Sequence, residues 1–181
     1  MDKNKIKNYQ IFSVIFTFIL GTLLHFTYEL SGENNIVALF SAINESVWEH
    51  LKLLYFPMLL TLIIGYLYIR KNVPNFLCSK VIGIVTAILF TVIFFYTYSG
   101  ILGKNIVFLD ISSFFVATIL GEYVAYRLMT NTIKCNKKIA MFILIVIGIC
   151  FITFTYCTPQ LGIFKDPITW QYGIIRKVSK L

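Results

Sequence analysis

Apolar residues fall in five long runs separated by short polar connections, at positions 8–28, 47–69, 80–99, 106–126 and 139–156. An α-helix rises about 1.5 Å per residue, so each run is long enough to cross, or nearly cross, roughly 30 Å of hydrocarbon. None of the runs shows the strict alternation that a barrel strand needs, and a helix satisfies its own backbone hydrogen bonds in lipid. The pattern predicts an all-α polytopic membrane bundle of five transmembrane helices over residues 1–158, with a C-terminal tail over 159–181. In the tail, Ile163, Phe164, Ile168, Trp170 and Tyr172 offer an apolar face, but Lys165, Asp166 and Pro167 interrupt any spanning helix. An interfacial cap over the bundle mouth is expected. Pro57 should kink the second span or free a backbone carbonyl one turn earlier.

Composition narrows the class further. The chain is 58% hydrophobic, 17% aromatic and only 13% charged, which leaves too little polar surface for a soluble domain of 181 residues. Its net charge of +8 sits mostly in connections and termini, where it sets topology and meets anionic headgroups, so nucleic-acid binding is not expected and membrane lipids are the expected partners. Lys3, Lys5 and Lys7 precede the first span, Arg70, Lys71 and Lys80 bracket the second connection, and Arg127, Lys134, Lys137 and Lys138 bracket the fourth. The positive-inside rule then makes the N-terminus cytoplasmic and turns the first and third connections outward. Lys165, Arg176, Lys177 and Lys180 are unusual for an outer tail, so a sixth short or re-entrant element stays open as the alternative. No small-residue cleavage motif follows the first span, which is read as retained. The abundance of Lys, Ile, Asn and Phe suits an AT-rich bacterial genome, and the cytoplasmic membrane is the expected location.

The cysteines carry little chemistry. Cys78 and Cys135 fall near helix ends on the expected cytoplasmic side, where thiols stay reduced, and Cys150 and Cys157 lie in or beside the last span. All four read as small packing residues. There is no phosphate-binding glycine loop and no GxSxG or HExxH motif.

The ionisable residues are more informative, because charges at membrane depth are costly and are usually internal, paired and functional. Seven of the ten Asp, Glu and His residues converge on the outer end of the predicted bundle: His25, Glu29, Glu45, Glu49, His50, Asp110 and Asp166. His25 and Glu29, like Glu45 and Glu49, are four apart and share a helix face. Lys52 extends the second stripe. His50 lies one helix step off it, where a local role competes with a place in the pocket. Glu45, Glu49, His50, Asp110 and Asp166 are candidate ligand-binding residues, His25, Glu29 and Glu45 candidate metal ligands, and Glu49 a candidate base. Imidazoles and carboxylates in this combination suit a divalent metal such as Zn or Mn, and an open coordination position would activate water. The cofactor itself is not specified by the sequence. A plainer account competes: Ser46 and Glu49 have capping-box spacing, acidic residues suit a helix N-terminus, and His25 and Glu29 satisfy each other. Capping alone leaves the two histidines, Asp110 and Asp166 unexplained. Glu122 lies deep in the fourth span, where Arg127 would pair with it or its carboxyl would be neutral.

The stretches HFTYELSG (25–32), NESVWEHLKLLYFP (44–57) and IFKDPITWQYG (163–173) resemble an uncharacterised family of small multi-spanning bacterial integral membrane proteins. The resemblance implies the same helical membrane fold and transfers no activity, substrate or cofactor. Three functional classes follow from the residues. The leading one is a membrane protein that binds a cation or small cationic ligand in the acidic, histidine-containing pocket. The others are a metal-dependent membrane hydrolase acting on a lipid or lipid-linked substrate, and a structural or accessory subunit.

Overall fold

The computed structural model describes residues 3–131 and 134–174; the basic tail residues Arg176, Lys177 and Lys180 lie outside them. The chain is all-helical. Helix α1 (Lys3–Leu30) starts ahead of its apolar run, because the lysines at its head are good helix formers with exposed side chains while Ile6 is buried between them. A single short turn, α2 (Asn35–Ala38), capped by the Asn34 side chain, interrupts the first connection. Helix α3 (Val47–Tyr68) follows, capped by Ser46, and a 3-10 turn (Arg70–Asn72) leads into α4 (Phe76–Leu102). Gly103, at φ 66°, supplies the left-handed residue that ends α4. Helices α5 (Val107–Thr130) and α6 (Lys137–Tyr156) complete the bundle.

Among the described residues, these five long helices are apolar and long enough to span a bilayer, which makes the chain a multi-pass membrane protein. No sixth helix of that length occurs among the described residues. The tail instead makes a 3-10 turn (Gly162–Phe164) and a small hairpin closed by a bridge between Lys165 and Tyr172.

Small residues set the closest helix approaches, as expected where lipid provides no hydrophobic drive between helices. A Cβ on Gly83 of α4 would lie 2.5 Å from the Gly121 carbonyl oxygen of α5, and one on Gly121 would lie 2.6 Å from that of Gly83. Pro57 has a related consequence. It has no N–H for the Leu53 carbonyl one turn earlier, and that oxygen backs onto α1 where a Cβ on Gly21 would be 2.6 Å away.

Three sequence-based expectations change at the basic end. Lys80 is not a loop cation. Helix α4 begins four residues before the apolar run and carries Lys80 fully inside, where its Nζ lies 2.6 and 2.8 Å from the two Glu122 carboxylate oxygens and 3.2 Å from Thr61 Oγ1. Arg127, the expected partner of Glu122, donates instead to the Tyr123 hydroxyl at 2.7 Å. Cys78 and Cys135 are likewise not free thiols but a disulfide. Asn75 brings the two segments together, its amide donating to the Leu128 and Asn131 carbonyls at 2.7 and 2.9 Å.

Removing one partner of a buried ion pair strands the other charge. Lys80→Met is expected to lower stability by about 3–5 kcal/mol, with much of the loss recovered when Glu122→Gln is added, as read from denaturant unfolding in detergent.

Candidate metal centre

The site is built on a strap, the connection between α1 and α3. Ser41 inserts its hydroxyl into the α1 ladder, donating to the Leu24 carbonyl and accepting the Tyr28 N–H at 3.0 Å. Farther along, Lys52 of α3 is completely buried. Its Nζ contacts Glu49 at 2.5 Å and donates to the Ala38 carbonyl at 2.7 Å and to Thr155 Oγ1 of α6 at 3.2 Å. Glu49 in turn accepts the Ile43 N–H at 3.1 Å. This is only half of the capping box. Ser46 caps the Glu49 N–H, but the Glu49 carboxylate turns to Lys52 and Ile43, and Asn44 Oδ1 takes the Ser46 N–H at 2.9 Å.

The tail locks the strap from outside. Asp166, 3% exposed, accepts N–H bonds from Ile168 and Thr169 at 2.7 and 3.1 Å and a longer one from Glu45 at 3.4 Å. Asn44 donates to the Gly173 carbonyl at 2.8 Å. Trp48 stacks against Phe151, Phe154 and Phe164, which anchors the tail to α3 and α6.

Held at both ends, the strap places Glu45 between two histidines. Its Oε2 lies 3.7 Å from His25 Nε2 and 3.4 Å from His50 Nε2, and one donor atom from each residue falls within 4.8 Å of the others. Ligands about 2.0–2.1 Å from a tetrahedral ion stand about 3.3 Å apart, so the two Glu45–histidine separations are close to those of a shared metal. His50 Nδ1 lies 2.9 Å from the Ser46 carbonyl. An acceptor there requires a proton on Nδ1, and in the neutral ring the lone pair is then on Nε2, where a metal can take it. The two imidazole rings are 5.2 Å apart, and His25 also packs on Phe26. The His25 side chain 3.7 Å away holds the Glu45 carboxyl below its usual range, against the opposing effect of burial.

These three residues line one end of a cavity of about 490 Å³ between α1, α3, α4 and α5. Asp110, in the first turn of α5, lines it as well and accepts a hydrogen bond from the Tyr98 hydroxyl of α4. The remaining candidates are elsewhere. Glu29 is exposed and lines a shallow depression with Glu33 at the end of α1; Glu49 is buried beneath the strap; Asp166 clasps the tail. Tyr98 went unread in the sequence although a signal was available, since residues four before the end of α4 and three after the start of α5 must meet across so short a turn.

Asp166→Ala would strip acceptors from backbone N–H groups and is expected to cost about 1–3 kcal/mol. Limited proteolysis should then cut the tail near Lys165 at protease levels that leave the native protein intact.

No curated protein and no solved structure matches the chain. A family model does, over residues 1–174, and by that match the chain belongs to DUF6512, a family of unknown function.

Proposed function

We propose that this membrane protein binds a divalent transition-metal ion through His25, Glu45 and His50, with zinc the best fit. The observation that carries the reading is the orientation of His50, whose Nδ1 faces the Ser46 carbonyl while Nε2 points at the shared carboxylate. A histidine fixed by a second hydrogen bond is the usual form of a metal ligand. Two imidazoles and one carboxylate suit zinc better than manganese, which prefers oxygen donors. Three protein donors leave a position for water or an exogenous ligand.

Binding is better supported than hydrolysis by the route first suggested by the sequence. That route uses Glu49 as base, and the Glu49 carboxylate is engaged by Lys52 and the Ile43 N–H beneath the strap.

Elemental analysis and thermal shift on detergent-purified protein test the reading. The native protein should hold about one zinc per chain and be stabilised by added zinc; His50→Ala should lose both properties, and Glu29→Gln neither. A native protein that retains no metal and shows no shift with zinc or manganese would overturn it.

Acidification provides a second check. A carboxyl held below its ordinary value of 4.5 contributes stability that is full above that pH and is lost as pH falls through the lower, folded value. The native protein should therefore keep its stability advantage over Glu45→Gln above pH 4.5 and lose it as pH falls below that value, as read from thermal unfolding of the two metal-free proteins across pH.

A further inference from the structure

The cavity behind the three donors is graded from polar to apolar along the helix axes. His25 is five residues from the end of α1, His50 is the fourth residue of α3 and Asp110 the fourth of α5, so the polar groups lie roughly 5–8 Å inside the helix ends. Gly21, Leu54, Phe114 and Thr91 lie deeper, at roughly 10–16 Å, about half the depth of a hydrocarbon core. Phe18 packs on Phe114 and Phe115 between α1 and α5 at this level.

The cavity also has a side opening. Thr22 and Phe26 on α1, and Val107 and Ile111 on α5, line it and are exposed on the outer surface of the bundle, the surface that lipid covers in a membrane. Pro167 and Ile168 of the tail line it too. These exposed lining residues make the outer part of the α1–α5 side the nearest approach from the bilayer, and the cavity volume is within the range of about 300–1,000 Å³ that small-molecule sites occupy.

We propose that the cavity receives one hydrocarbon chain of a membrane amphiphile, entering sideways between α1 and α5, with an oxygen of its head group in the open coordination position of the metal held by His25, Glu45 and His50. The placement of the head rests on the metal reading above; that of the chain rests on the cavity. The geometry matches how an amphiphile already lies in a bilayer, with its head at interfacial depth and its chain beneath, so entry requires no inversion and little exposure of hydrocarbon to water. Charge agrees with a compact oxygen head. Within the donor set Glu45 alone is anionic and offsets half the charge of a divalent ion, so the open position suits a single carboxylate oxygen better than a bulky polyanion.

A palmitic acid analogue with a mid-chain diazirine tests this on the full chain in lipid nanodiscs, zinc-loaded or chelator-stripped, with metal content measured on each sample. Photolabelling should concentrate on peptides that line the cavity. It should fall about tenfold in a Thr22→Trp/Ile111→Trp variant, whose changes lie on exposed faces and should leave zinc content unchanged, and should fall similarly on chelation. Labelling spread evenly over the outer helix faces and unaffected by the tryptophans would overturn chain binding while the zinc content still supported the metal reading. Cavity labelling that is the same with and without bound zinc would overturn coordination of the head. A native protein without zinc would refute head coordination together with the metal reading, and the metal measurement separates that failure from the others.

Discussion

The candidate site depends on one buried ion pair. Glu49 and Lys52 sit in the first turns of α3, almost without exposure, and separating two charges from water costs several kcal/mol each unless geometry and further hydrogen bonds compensate. Here they do. Lys52 also reaches a strap carbonyl and a threonine on α6, and Glu49 takes a strap N–H, so a single charged contact fixes α3, α6 and the α1–α3 connection relative to one another. Glu45 lies between these anchors and the tail clasp, which makes its position a product of packing rather than of its own side-chain preference.

A second buried pair, Lys80 with Glu122, occupies the opposite end of the bundle and ties α4 to α5 and, through Thr61, to α3. Between the two, close glycine contacts sit within a core of aliphatic and aromatic side chains. This division suits a membrane solvent, where apolar burial gives helices little reason to associate and close backbone approach with internal hydrogen bonds must supply specificity. It also leaves room near one end for the cavity, since the Leu53 carbonyl and Gly21 bring α1 and α3 together at the depth of its floor.

The helical class and the five spans were legible because runs of this length and apolarity have few alternatives. The crowding of ionisable residues at one end was legible too; which of them meet was not. Helix spacing pairs His25 with Glu29, but the strap delivers Glu45 from outside the helix, and no local periodicity encodes where an irregular connection will fold. The stripe from Glu45 to Glu49 fails for a related reason: α3 begins at Val47, so Glu45 is not helical and does not share the face of Glu49. Lys80 was misread because positive charge at the margin of an apolar run resembles a topological marker until its partner, forty-two residues away, is known. The disulfide was missed because compartment was inferred from charge alone. The basic residues led to the expectation of a cytoplasmic end, whereas a Cys78–Cys135 bond is the pairing of an oxidising compartment.

X-ray absorption at the zinc edge of the loaded protein addresses the central claim directly, because it reads the ligands themselves. Two imidazole nitrogens at about 2.0 Å with oxygen completing the shell is the expected spectrum. A shell without imidazole scattering, or one containing sulfur from Cys150 or Cys157, the two cysteines outside the disulfide, would contradict the account.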